Sequence, residues 1–121
     1  GGTRHLLSTN TSAQASMLHD AGATTVNGLV TLTGLANQDD LELIGTVSPT
    51  GVAQSGFARN GGAVALGTAT AALAFAAAYG GSPVKVAIGS QLGAALFANI
   101  ALRNVKIAAG VRTLEQMRSL F

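Results

Sequence analysis

The two histidines are the first candidates for catalysis, because imidazole is the side chain that changes charge near neutral pH. His19 precedes Asp20, and His5 lies close to the start of the sequence. Adjacent residues of a helix or strand point in different directions, so His19 and Asp20 do not form a catalytic pair by themselves. The sequence therefore predicts two exposed polar histidines without a catalytic role.

Other chemistry-bearing residues also lack a recognised arrangement. Asp39, Asp40 and Glu42 are clustered, but no loop with calcium-type ligand spacing surrounds them, so we expect a solvated turn. Cysteine is absent, which excludes disulfides, thiolate catalysis and cysteine-ligated metals. The glycines match neither a phosphate-binding loop nor a dinucleotide fingerprint, and no nucleophile elbow is present. The sequence predicts no enzyme, no metal, no cofactor and no small-molecule substrate.

Basic residues near the C-terminus are the remaining functional signal. They are Arg103, Lys106, Arg112 and Arg118. These cations can contact phosphate, either in a nucleic-acid backbone or in anionic lipid head groups. Without interleaved aromatic residues, contact with nucleic acid would be to the backbone and without sequence preference. The alternative is that they only solubilise the end of a helix, where cations also suit the helix dipole.

Composition indicates a chain that associates easily. Its 121 residues suffice for one domain, which we place over 1–121. Only 10% of the residues are charged, well below the roughly 25% usual in soluble domains, so few charges keep the chain monomeric. One base accompanies four acids up to residue 58, whereas six bases accompany one acid after it. We expect the two halves to face different environments, or each other in neighbouring subunits.

The first half, residues 1–60, is polar and has the turn residues of a β-rich region. Residues 6–22 favour a short helix, capped by Ser8, Thr9 or Asn10. Asn27-Gly28 stands between β-branched residues and predicts a two-residue hairpin turn. The segments 41–47 and 52–58 predict strands, joined by a turn at Ser48-Pro49-Thr50-Gly51. A small antiparallel sheet over about residues 24–58 follows.

The second half, residues 61–121, is dominated by alanine, leucine and valine at helical spacing. Two helix-length segments, Ala63–Tyr79 and Val84–Leu102, are separated by a Gly-Gly-Ser-Pro connection that favours an antiparallel helical hairpin. After Leu102, apolar and basic residues alternate at a spacing typical of an amphipathic C-terminal helix. The expected fold class is therefore α+β, with the small sheet followed by the helical hairpin and the amphipathic helix.

Small residues at four-residue spacing lie on both predicted helices. They are Gly67 and Ala71 on the first helix and Gly89 and Gly93 on the second. Such residues let helix backbones approach closely. They either join the two helices only within one subunit or, since both helices are apolar nearly all round, leave faces for further copies of the chain to cover.

These features favour a non-enzymatic structural subunit that assembles with copies of itself into a coat or filament, in an extracellular assembly or a virion. An accessory subunit of a membrane complex is the first alternative, because residues 61–102 contain a single charge, Lys85. The first of the two segments is nevertheless marginal as an independent membrane span. A small binding module, with its ligand between sheet and helices, is the second alternative.

Overall fold

The structure, a computed structural model, describes residues 3–36, 38–76 and 104–120 and is built mainly from β-strands. Its elements are β1 (Thr3–Thr9), β2 (Gln14–Ala21), β3 (Thr25–Thr31), β4 (Leu41–Val47), β5 (Ala53–Arg59), β6 (Ala65–Leu66) and α1 (Leu114–Arg118). The strands form two three-stranded antiparallel sheets, ordered β1-β2-β3 and β4-β5-β6. The expected α+β class with a helical hairpin is therefore wrong.

The helix predicted over residues 6–22 is replaced by the hairpin of β1 and β2. The Asn10 side chain holds the turn, because its Oδ1 accepts hydrogen bonds from the backbone N–H groups of Ser12 and Gln14 at 3.0 and 3.1 Å. Asparagine is suited to this turn because its side chain replaces a backbone acceptor. Beyond the turn, the residues of β2 that are most deeply buried include Ala15 and His19, which lie on one face of the strand.

Asn27-Gly28 is not a turn, so that prediction is wrong. Gly28 lies in the middle of β3, opposite Met17 of β2. The chain reverses earlier, at Gly22, where φ is +91° and glycine has no steric penalty. Gly28 serves a different purpose, because a Cβ there would lie 2.7 Å from the carbonyl oxygen of Ala53 in the facing sheet.

The predicted strands of the second sheet are confirmed as β4 and β5. The turn between them is also confirmed: the Gly51 N–H donates to the Ser48 carbonyl oxygen at 2.9 Å. Gly51 has a φ of +81°, which explains why glycine suits this position. Alternation and turn chemistry are both local, and here they predict the same structure.

The helix predicted over Ala63–Tyr79 is wrong as far as residue 76. That stretch contains the short strand β6 and then extended chain that bonds to β5 and to the turn before it. The N–H groups of Gly67, Thr70 and Leu73 donate to the carbonyl oxygens of Ser55, Ala53 and Gly51 at 2.9–3.1 Å. Glycine and threonine are weak helix formers, so bonds to the second sheet compete successfully with a helix. The second predicted helix, Val84–Leu102, lies outside the described residues.

The predicted long amphipathic C-terminal helix is also wrong, because α1 has only five residues. Thr113 and Gln116 form a capping box at its start, which fixes where the helix begins. Gly110 has a φ of +80°, a left-handed conformation that prevents α1 from extending back through this residue. Leu114 packs with Ile44 and Ala58, so α1 lies on the outer face of the second sheet.

Small side chains let the two sheets come close together. Ala15 and Ala53 are fully buried, and the Sδ of Met17 packs against the backbone of Gly45. Ser55 is 1% exposed, and its Oγ lies 2.7 Å from the Gly28 carbonyl oxygen in the facing sheet. The described part of the chain thus has three layers, which are the first sheet, the second sheet and α1.

Candidate functional site: a histidine pair and an adjoining groove

His5 and His19 face each other across β1 and β2, on the inner face of the first sheet. His5 Nε2 lies 3.1 Å from His19 Nδ1, and His19 Nε2 lies 2.8 Å from the Leu73 carbonyl oxygen. A carbonyl oxygen only accepts, so His19 must carry its proton on Nε2. In a neutral ring Nδ1 then accepts, and the bond between the rings is donated by His5 Nε2. The contacts thus fix both tautomers.

Residues 67–76, here called the strap, cover this pair. The Phe75 ring lies 4.7 Å from the His19 ring and 5.6 Å from the His5 ring, measured between centroids. The Ala76 N–H donates to Thr3 Oγ1 at 3.0 Å and fastens the end of the strap to β1. His19 is 0% exposed, so the prediction of an exposed polar histidine is wrong for this residue.

The pair is suited to holding the strap. Burial, and secondarily the proximity of His19, lowers the pKa of His5 below its usual value, so this ring is neutral at pH 7. Both ring nitrogens of His19 are hydrogen-bonded, one to His5 and the other to the Leu73 carbonyl oxygen, so its ring joins β1 to the strap. Asp20 follows on the opposite face and pairs with Arg4 at 3.2 Å. Nor do the described residues bring three metal-ligating side chains together.

A groove of about 520 Å³ lies beside the histidine pair. It is bounded by β1, by β4 and the turn that follows it, and by the chain from Lys106 to Arg112. A smaller cavity of about 240 Å³ lies beside α1 and shares Ile44, Thr46 and Arg112 with the groove. Both cavities are open to solvent, and the larger has the size of a small-molecule site.

The structure places two of the four predicted phosphate-contacting residues, Lys106 and Arg112, along the groove. Lys106 Nζ donates to the carbonyl oxygens of Met117 and Arg118 at 3.1 and 2.9 Å. Arg112 Nε donates to the Ala109 carbonyl oxygen at 3.3 Å.

Arg118 lies elsewhere, with two bonds to Glu42 at 3.0 and 2.5 Å. The hydrogen bond from Arg118 lowers the pKa of Glu42. Arg103 lies outside the described residues. Contact with phosphate therefore stays a prediction.

The predicted helix-packing residues that the structure describes do not lie on a helix. Gly67 is in extended chain, where a Cβ would collide with the Leu29 carbonyl oxygen. Ala71 is exposed on the strap. Gly89 and Gly93 fall in the part of the chain that is not described, so a contact between them and other helices stays a prediction.

The acidic cluster and the bases of the second half meet within one chain. Asp39 accepts a hydrogen bond from the Ala36 N–H at 2.7 Å and another from Asn60 Nδ2 at 3.0 Å. These bonds lower its pKa, the backbone bond most of all. Arg59 approaches Asp39 to 3.7 Å, and Arg118 pairs with Glu42. Opposite charges of the two halves thus pair within one subunit, which the sequence did not indicate.

Sequence reasoning missed the importance of His19 and Phe75. The available signal was the two-residue spacing of Ala15, Met17 and His19, which places them on one face of a strand.

No protein-family model, curated protein or solved structure matches this chain. Among the residues described, no helix has the length and apolarity needed to cross a membrane. Functional inference accordingly depends on the geometry.

Proposed function

We propose that this chain is a non-enzymatic structural subunit that associates with copies of itself, as the building block of a coat or filament. The observation that carries the proposal is the outer face of the first sheet, which presents leucines at its centre. These residues are Leu6, Leu18 and Leu29. The face they define is called the leucine face below.

The leucine face lies opposite the packed interior. Leu6 pairs with Leu18 across β1 and β2, and Leu29 lies on the neighbouring strand β3 opposite Ser16. The main contacts of this sheet with other strands are with β4 and β5, on its inner face. Leu29 is 38% exposed, and Leu6 and Leu18 are half-buried. An antiparallel sheet with one solvated face normally places polar residues there, so the leucines favour burial by a partner.

The charges on the leucine face are self-complementary. Arg4 and Asp20 lie opposite each other on β1 and β2 and form an ion pair at 3.2 Å. When two copies meet about a two-fold axis, each residue of one copy faces the same patch on the other. Arg4 of one copy can then approach Asp20 of the second, and the face brings no net charge into the contact.

The expected association is weak for a single contact. Three strands spaced by about 4.8 Å and seven residues rising about 3.3 Å each give a flat face of roughly 330 Å². A standard stable interface buries about 800 Å² per partner. In an array, the same small contact is repeated over many copies, and this repetition compensates for the weak association of each contact.

A second contact is needed to extend a dimer into an array. Exposed aliphatic side chains are available away from the leucine face: Leu66, Val105 and Val111 are 60%, 51% and 55% exposed. A head-to-tail contact involving such residues generates rings or open filaments, depending on the rotation between neighbours. The proposal therefore combines a two-fold contact with a separate lateral one.

Replacing Leu29 with lysine tests the first contact. Leu29→Lys places a charge on the leucine face, and we expect the sedimentation-derived association constant to fall by about tenfold or more, which corresponds to about 1.4 kcal/mol. Leu35→Lys is the matched control, because Leu35 is 40% exposed in a loop. A parent chain that remains monomeric at millimolar concentration, or equal effects of both variants, would contradict the proposal.

A further inference from the structure

The groove beside the histidine pair has an apolar wall drawn from several separate parts of the fold. Its large hydrophobic side chains include Leu7, Met17, Ile44, Val47, Phe75 and Ile107. Leu7 and Phe75 are each 38% exposed, and Ile107 is 74% exposed. Apolar surface held open to water in a concave site favours a ligand with an apolar body.

The charged residues that line the groove are both basic. They are Lys106 and Arg112, and the described lining residues include no aspartate or glutamate. Glu42, outside the lining, interacts electrostatically with Lys106. The Lys106 ammonium is held in place by the two carbonyl oxygens at the end of α1, and the Arg112 side chain is anchored through Nε. Cations positioned beside apolar walls complement a ligand with a negatively charged head.

The polar side of the groove is also fixed in advance. His5 is oriented by its bond to His19, and His19 is oriented by the strap. A ligand would therefore not have to order these side chains, which lowers the entropic cost of binding. The volume of about 520 Å³ lies within the range of about 300–1,000 Å³ found for small-molecule sites.

We propose that this groove binds a small anionic amphiphile, a carboxylate with one aliphatic chain, whose head lies near Lys106 and Arg112 and whose chain lies along Leu7, Ile44 and Phe75. The site is separate from the leucine face, so the proposal goes beyond the structural role. In this proposal Arg112 is a residue that determines specificity for the negative head.

Titration with decanoate below its micellar concentration tests the proposal. We expect saturable binding of one molecule per chain, with the methyl NMR signals of Ile44 and Ile107 shifting together. Decyltrimethylammonium, which has the same chain length and the opposite charge, is expected to bind about tenfold more weakly or not at all. No saturable decanoate binding up to about 1 mM, or equal affinity for both head groups, would overturn the proposal.

Two exposed positions provide the matched variants, one inside the groove lining and one outside it. Ile107→Asp puts a carboxylate into the groove, and we expect decanoate affinity to fall by about tenfold or more. Leu35→Asp introduces the same charge at a 40% exposed loop position outside the groove lining, and we expect less than about a twofold change. We expect Arg112→Gln to lower the affinity for decanoate about two- to fivefold. The ratio between the affinities for decanoate and decyltrimethylammonium should fall as well.

Equal losses in the two aspartate variants would show that net charge, and not the groove, governs binding. That result would also overturn the proposal. The association constant of the parent chain, measured without decanoate, reports independently on the leucine face. Failure of ligand binding is therefore distinguishable from failure of the structural role.

Discussion

Replacing Gly28 with alanine is expected to destabilise the fold by about 3 kcal/mol, because there is no room for a side chain between the sheets. The new Cβ would lie 2.7–2.8 Å from three backbone atoms of Ala53 and Gln54. Backbone atoms of a paired strand cannot rotate aside as a flexible side chain can, so the sheets would have to separate. Urea denaturation measures the loss directly.

Gly61→Ala is the control for this variant. Gly61 has a φ of +74°, but no neighbouring atom lies within 4 Å of the position of a Cβ. Only the left-handed backbone conformation opposes alanine there, at a cost of about 1–2 kcal/mol. If Gly28→Ala lowers the free energy of unfolding by no more than Gly61→Ala does, the two sheets do not approach each other as closely as described above.

Replacing His19 with leucine is expected to lower the free energy of unfolding by about 2–3 kcal/mol, although the side-chain volume is largely retained. The variant removes the donor that bonds the Leu73 carbonyl oxygen and the acceptor for His5 Nε2. Both partners would then lose a hydrogen bond in a site that is covered by Phe75. The thermal melting temperature should fall accordingly.

Amide hydrogen exchange separates the expected loosening of the strap from a general loss of stability. The Leu73 N–H donates to the Gly51 carbonyl oxygen, so its exchange should accelerate more than that of Phe57 in the middle of β5. His5→Leu leaves the bond between His19 and Leu73 in place and should affect the strap less. An unchanged melting temperature and unchanged Leu73 exchange in His19→Leu would refute the role of the pair.

The parts of the fold that could be predicted from sequence are those with locally consistent signals. The alternating side chains of residues 41–47 and the turn residues Ser48-Pro49-Thr50-Gly51 predict a strand and a turn, and the structure has both. In the hairpin of β1 and β2, reasonable helix formers favoured a helix, whereas pairing with β3 and burial of Ala15 and His19 favour a strand. Tertiary contacts outweigh a propensity difference of under about 0.7 kcal/mol per residue.

Alanine-rich sequence gave the most misleading signal. Between residues 63 and 76 its helical propensity is real, but Gly67 and the threonines that follow weaken it. Backbone carbonyl oxygens of β5 and of the turn before it accept hydrogen bonds from this stretch instead. Asn27-Gly28 misled for a related reason, because glycine is used there for close approach and not for a turn. Composition alone does not distinguish these two uses.

The candidate site depended on contacts between residues distant in sequence. His5 and His19 meet because of the register of β1 and β2, and the strap reaches them from more than fifty residues away. Register is set by which side chains the sheet buries, and that in turn depends on the facing sheet. The groove likewise requires β1, β4 and the chain before α1 to come together, so no local pattern could have indicated it.

Cysteine cross-linking at Leu18 tests self-association through the leucine face most directly. The chain contains no cysteine, so Leu18→Cys provides a single thiol on the central strand, close to the expected two-fold axis. A disulfide requires Cα atoms within about 7 Å, and a face-to-face pair centred on β2 turns the two side chains at position 18 toward each other. Leu35→Cys, in an exposed loop, is the control.

Under mild oxidation, our account predicts that Leu18→Cys forms covalent dimers at least about tenfold faster than Leu35→Cys, since the paired thiols have a millimolar effective concentration. The difference should disappear in concentrated urea, where the face no longer exists. Equal rates for the two variants in the native state would contradict association through the leucine face.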